Sequence, residues 1–138
     1  MIRAFQTADL AAITEIWLQE NLIAHDFIED KYWYANLAMV QQAFGQAQIY
    51  VYEKQGQILG FIGLQDDYLA GLFVKQTFQG QGIGTKLLDH AKKQVSHLSL
   101  HVYCQNKKAV TFYQKAGFKI MDQLFDENVQ AFEYEMGN

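Results

Sequence analysis

Leu72-Phe73-Val74-Lys75-Gln76-Thr77-Phe78-Gln79-Gly80-Gln81-Gly82-Ile83-Gly84-Thr85 is an apolar run that breaks into a glycine-rich turn. Behind the turn, Ile83, Leu87, Leu88, Ala91 and Val95 recur at helical spacing, with Lys86, Asp89, Lys92 and Lys93 opposite. The stretch therefore reads as a strand over Tyr68 to Val74, a turn, and an amphipathic helix from about Gly82. Such a unit suits a phosphate. The first turn of a helix has N–H groups without an internal partner and carries the positive end of the macrodipole. Glycines let the backbone approach a pyrophosphate with no Cβ in the way. Two better-known phosphate loops do not fit. A P-loop needs Gly-Lys-Ser or Gly-Lys-Thr, whereas Gly84 is followed by Thr85-Lys86. The dinucleotide fingerprint needs three residues from its second glycine to its third, but Gly80, Gly82 and Gly84 are each two apart.

On the N-terminal side, Ile2 to Gln6 reads as a strand. Thr7 or Asp9 is placed to cap a helix carrying Leu10, Ile13 and Trp17 and ending near Asn21 to His25. A second helix is expected from about Asp30, with Trp33, Leu37, Val40 and Phe44 on one stripe and Gly45 as a C-terminal residue of positive φ. Ile49 to Tyr52 and Ile58 to Ile62 flank Gln55-Gly56-Gln57 as a hairpin. On the C-terminal side, Leu98 to Cys104 alternates. Leu98, Leu100, Val102 and Cys104 share one side, and Ser99, His101 and Tyr103 share the other. Asn106 then caps a helix carrying Ala109, Phe112, Tyr113 and Ala116, closed by Gly117. Phe118 to Met121 and Ala131 to Met136 make a last strand pair. The order β-α-α-β-β-β-α-β-α-β-β, with no repeat and no linker, predicts one α/β domain over residues 1–138.

With 138 residues and half of them apolar, the chain is long enough to bury a core. A net charge of −4 without a basic stripe argues against nucleic acid as a partner. The N-terminus lacks the pattern of a secretory signal and no run approaches a bilayer span, so a cytoplasmic protein without membrane association is expected. Cys104 is the sole cysteine, which excludes an intrachain disulfide. His97 and His101 straddle a helix-to-strand boundary and share no helical face, so no metal site is expected.

Gln79, Gly82 and Gly84 fit the pattern [Q/R]-x-x-G-x-[G/A], and Asn106 through Ala109, Phe112, Tyr113, Gly117 and Phe118 fits N-x-x-A-x-x-F-Y-x-x-x-G-F. Both resemble signatures of the GNAT N-acetyltransferase superfamily, and the resemblance extends over nearly the full length to its small single-domain bacterial members. One departure is Gln76, where members often carry proline. The resemblance implies a mixed, mostly antiparallel central sheet flanked by helices on both faces. It also implies that acetyl-CoA is a cosubstrate. Gln79, Gly80, Gln81, Gly82, Ile83, Gly84 and Thr85 would bind it, with the Gln81 to Thr85 backbone cradling its pyrophosphate, Leu72, Phe73 and Val74 would pair with the pantetheine arm, and Asn106 would touch that arm. Tyr113 matches the family's general acid, a phenol able to return a proton to the departing thiolate.

The acceptor would be a primary amine, on a protein lysine, an N-terminus or a small molecule. His25, His101, Tyr103 and a relayed water stay open as the general base. Lys107 and Lys108 read as a solvated helix edge within reach of the adenosine phosphate. A non-catalytic acyl-CoA sensor is the alternative, and an enzyme acting on aminoacyl-tRNA is a weaker one. Monomer and homodimer are both open.

Overall fold

The computed structural model describes all 138 residues. Its strands are β1 (Ile2–Ala4), β2 (Gln48–Lys54), β3 (Gln57–Gln65), β4 (Tyr68–Val74), β5 (Ser99–Tyr103), β6 (Lys119–Asp126) and β7 (Ala131–Gly137). Its helices are α1 (Leu10–Ala24), α2 (Asp30–Ala35), α3 (Leu37–Phe44), α4 (Ile83–Gln94) and α5 (Lys107–Lys115). The seven strands form one sheet in the order β1-β2-β3-β4-β5-β7-β6. Every neighbouring pair is antiparallel except β4 and β5. The expected mixed, mostly antiparallel sheet with helices on both faces is what forms.

Two apolar layers hold the helices on. On one face, Leu87, Leu88 and Ala91 of α4 and Val110 and Tyr113 of α5 pack on Ile62, Leu64, Leu100 and Met136. On the other, Ile13, Ile16 and Trp17 of α1 and Trp33 of α2 pack on Ile49, Val51 and Phe61. Leu87 is fully buried. Leu87→Ala should cost about 2–5 kcal/mol, from lost transfer and the cavity left behind.

Local chemistry shifts several expected boundaries. β1 stops at Ala4, although Phe5 N–H still bonds Ile49 O at 2.9 Å. Thr7 to Asp9 form a 3-10 turn, and neither caps α1 by side chain. Asp9 instead accepts from Gln6 N–H at 2.8 Å and from the Arg3 guanidinium at 2.8 and 3.0 Å. Those bonds hold its carboxyl below the usual range. The expected continuous helix from Asp30 is two helices, broken at Asn36. The Asn36 side-chain N–H donates to Tyr32 O at 2.6 Å, the carbonyl that the Asn36 backbone N–H would have used, and that N–H turns to Trp33 O.

Gly45 is right-handed (φ −69°) rather than left-handed, because Gly45, Gln46 and Ala47 continue the turn by bonding back to Gln42 and Ala43. Val95 leaves the helix and is extended. β6 runs on to Asp126, five residues beyond the expected Met121.

The junction of β4 and β5 positions the site. β3 and β4 share six register pairs, and β5 and β7 share five, but β4 and β5 share only Tyr68 opposite Ser99. Beyond that rung the sheet parts, with the glycine turn above it.

Candidate active site at the break in the sheet

A cleft of about 750 Å3 opens where β4 leaves β5. Leu72, Phe73 and Val74 form its floor, and Gly80, Gly82, Ile83, Gly84 and Thr85 its upper wall. Gly80 and Gly82 adopt φ of +81° and +85°, a left-handed conformation that strains any residue with a Cβ. The space above both is open to 4 Å around an added Cβ. No side chain caps α4, whose first residues, Ile83, Gly84 and Thr85, line the cleft with their N–H groups free of a side-chain partner. A phosphate-sized anion fits this cradle by the chemistry of its donors. Gln81 is the expected turn residue that does not line the cleft, and its side chain is exposed.

Gln79 is engaged by its neighbours. Its side-chain N–H donates to Val74 O at 2.8 Å and to Glu20 Oε1 at 2.9 Å, and its Oε1 accepts from Lys108 Nζ at 2.7 Å. Glu20 also accepts from Gln76 N–H at 3.1 Å. Burial pushes the Glu20 carboxyl up, and these two bonds oppose the shift. Three segments far apart in sequence are thus tied at the turn. Nothing in the sequence singled out Glu20, because its partners lie 56 and 59 residues away.

Beside the turn, where Lys108 meets Gln79, α5 supplies Asn106 and Tyr113 to the same cleft. Asn106 Oδ1 accepts from Ala109 N–H at 3.2 Å, the expected cap. Its Nδ2 must then donate, and its partner is His25 Nε2 at 3.1 Å. His25 therefore carries its proton on Nδ1, which is buried without a partner. The ring stacks on Trp33 at 5.4 Å and meets Tyr103 edge-on at 5.0 Å. Burial lowers the His25 pKa to about 4, so the imidazole is neutral near pH 7. Tyr113 lines the cleft with a ring only 8% exposed. Burial pushes its phenol up, with Tyr68 adding to the shift, so it stays protonated.

Beyond His25 the cleft meets an acidic, aromatic surface. Tyr103 lies opposite Glu133 and His101 opposite Glu135. His101 Nδ1 is 3.0 Å from Tyr68 Oη, and its Nε2 is 4.0 Å from Glu135. Burial raises the Tyr103 phenol, with Tyr32, Asp126 and Glu133 adding to the shift, and burial also raises the Glu133 carboxyl. Of the histidines and tyrosine singled out as bases, His25 alone lines the cleft. No group of three or more His, Cys, Asp or Glu side chains is arranged to hold a metal ion.

A family model described as an acetyltransferase (GNAT) domain matches residues 9–136. The peptidyl-lysine N-acetyltransferase YiaC of Escherichia coli K12 is 36% identical over 132 residues, covering 94% of this chain and 90% of that protein. The peptidyl-lysine N-acetyltransferase YjaB of the same strain is 30% identical over 109 residues, covering 78% and 74%. The solution structure of apo YjaB from Escherichia coli superimposes with a TM-score of 0.88 at 26% identity, over 99% of this chain and 95% of that one. The PaiA N-acetyltransferase of Thermoplasma acidophilum, solved with coenzyme A, shares the fold at a TM-score of 0.79 and 20% identity, over 98% and 96%.

Proposed function

The chain belongs to the GNAT acetyltransferase family and is an N-acetyltransferase, and from that premise we propose that it moves the acetyl group of acetyl-CoA onto the side-chain amine of lysine in proteins. The observation that carries this reading is one cleft lined by the left-handed glycine turn, Asn106 and Tyr113, set where a single rung joins β4 to β5 and the sheet parts beyond it. We read residues 1–138 as one such domain. No helix is long and apolar enough to cross a membrane, and we place the enzyme in the cytoplasm, where the lone Cys104 stays reduced.

In the proposed reaction the backbone N–H groups at the start of α4 hold the pyrophosphate, and Gln79 braces the turn through Val74 and Glu20. The β4 backbone at Leu72 to Val74, free of a strand partner on the β5 side, hydrogen-bonds the pantetheine arm and the thioester oxygen. The amine nitrogen attacks the thioester carbon, the carbon–sulfur bond breaks, and Tyr113 gives its phenolic proton to the leaving thiolate. The proton lost by the amine passes to water, and water returns one to the Tyr113 phenolate. Holding both reactants in one slot supplies much of the rate without a covalent enzyme intermediate.

The lysine acceptor is supported by the surface beyond His25. Glu133 and Glu135 stand beside the aromatic rings of Tyr68 and Tyr103, a combination that attracts an ammonium group and packs its alkyl stem. Calorimetric titration with acetyl-CoA, followed by mass spectrometry of lysine peptides, tests the reading. Saturable binding with a mass gain of one acetyl group on lysine is expected. Binding without acetylation of any lysine peptide would reject the acceptor, and no binding would reject the site.

A further inference from the structure

β6 ends the sheet, paired with β7 on one side and with nothing on the other. The opposite edge strand, β1, is three residues long, whereas β6 is eight. A long edge strand offers a row of unpaired N–H and C=O groups, and chains usually blunt such edges with charge or proline. Here Ile120, Met121, Leu124 and Phe125, with Phe132 of β7, are between 37 and 68% exposed. Five of the nine exposed large apolar side chains in the molecule lie on this strand pair.

The order of residues along β6 is self-complementary. Pairing with β7 fixes the faces: Lys119, Asp122, Leu124 and Asp126 share one, Ile120, Gln123 and Phe125 the other, and Met121 is skipped as a bulge. A second copy laid antiparallel about a two-fold axis at Gln123 keeps every face matched. Gln123 then lies opposite itself and Asp122 opposite Leu124. With the bulge kept in each strand, Ile120 lies opposite Phe125 of the second copy, and Lys119 opposite its Asp126. Apolar meets apolar where Phe125 already packs edge-on with Phe132 at 4.9 Å. Opposite charges meet at both ends.

We propose that β6 pairs antiparallel with β6 of a second copy, joining two sheets into one across a two-fold axis at Gln123. The contact is isologous, so it closes as a dimer. The acetyl-CoA cleft lies across the sheet at β4 and is left open in each copy.

Light scattering at tens of micromolar is the first test. A mass near twice 15.9 kDa is expected, and a monomer would overturn the proposal. Phe125→Lys, at an exposed position, should weaken the dimer by ~10-fold or more, because the contact is lost twice across the axis. Circular dichroism and acetyl-CoA binding report whether that variant is folded. A folded variant that dimerises as tightly as the wild type would place the interface elsewhere and overturn the proposal. Register is read by cross-linking in a Cys104→Ser background. Residues facing each other across an antiparallel pair have the Cα separation a disulfide needs. Gln123→Cys should form a disulfide-linked dimer on oxidation, whereas Lys119→Cys should not. Equal cross-linking at both positions, or none at Gln123→Cys, would refute the pairing.

Discussion

The two sides of the cleft offer a ligand different chemistry. The upper side, from β4 through α5, works mainly through backbone: left-handed glycines, uncapped N–H groups of α4 and an asparagine cap on α5. The far side, from α1 and α2 to β5 and β7, works through side chains: His25 in an aromatic cluster, then Glu133 and Glu135. Backbone recognition leaves a compact mark, because glycine or asparagine is needed at set spacing. Side-chain recognition leaves none, since its members come from distant strands and helices and many residue types would serve. A common cosubstrate on one side and a variable acceptor on the other is the division this difference supports.

The comparison breaks first if Tyr113 does not act on the chemistry. Tyr113→Phe should lower kcat by roughly 10²–10⁴ in steady-state assays while calorimetry shows unchanged acetyl-CoA affinity. Unchanged turnover would remove the phenol from the mechanism. Next, Gly82→Asp should weaken acetyl-CoA binding by about 10², through a strained left-handed residue and a carboxylate facing the pyrophosphate. An intact affinity would mean that the turn is only a turn.

The far side is probed by pH. His25 is held neutral by burial, with a pKa of about 4 against an ordinary 6.5. The unfolded chain takes up its proton below pH 6.5, while the fold resists until about pH 4. The neutral buried imidazole therefore costs nothing extra above pH 6.5, and stability falls as pH drops towards 4, by up to about 3 kcal/mol. Urea midpoints of wild type and His25→Gln across that range isolate this part from the carboxylates, and parallel curves would show that His25 does not titrate this way. The smallest effect is expected at Glu133. Glu133→Gln should raise KM for a lysine peptide about 5- to 10-fold and leave acetyl-CoA affinity alone, as loss of one partly screened charge on the acceptor side. A change in acetyl-CoA affinity instead would merge the two sides.

Much of the upper side was legible in the sequence for the same reason. Gly80, Gly82 and Asn106 sit where the fold requires their special backbone or capping chemistry, and α4 and α5 carry clean helical stripes. Ten of the eleven positions expected to bind the cosubstrate line one cleft, Gln81 being the exception. Of the far side, His25 and Tyr103 were named singly as candidate bases, but their grouping was not legible. His25, Trp33 and Tyr103 meet only when α1, α2 and β5 are assembled, and Glu20 reaches Gln79 across 59 residues. The break at Asn36 turned on one side chain outbidding its own backbone for the Tyr32 carbonyl, which apolar periodicity cannot register. Gly45 misled for a related reason: glycine permits a left-handed end but does not enforce one.

The single rung between Tyr68 and Ser99 has a mechanical meaning. A sheet stitched once at that seam is two stiff plates joined near one end, and the β4 edge beyond the stitch is unzipped. A ligand lying in the gap, as proposed above, would take the place of the missing strand and zip the plates together, and its departure would loosen them again. Amide exchange along Leu72 to Val74 should therefore follow occupancy of the gap more closely than it follows global unfolding. At the proposed site, the molecule being consumed would also, while it stays, be part of the scaffold.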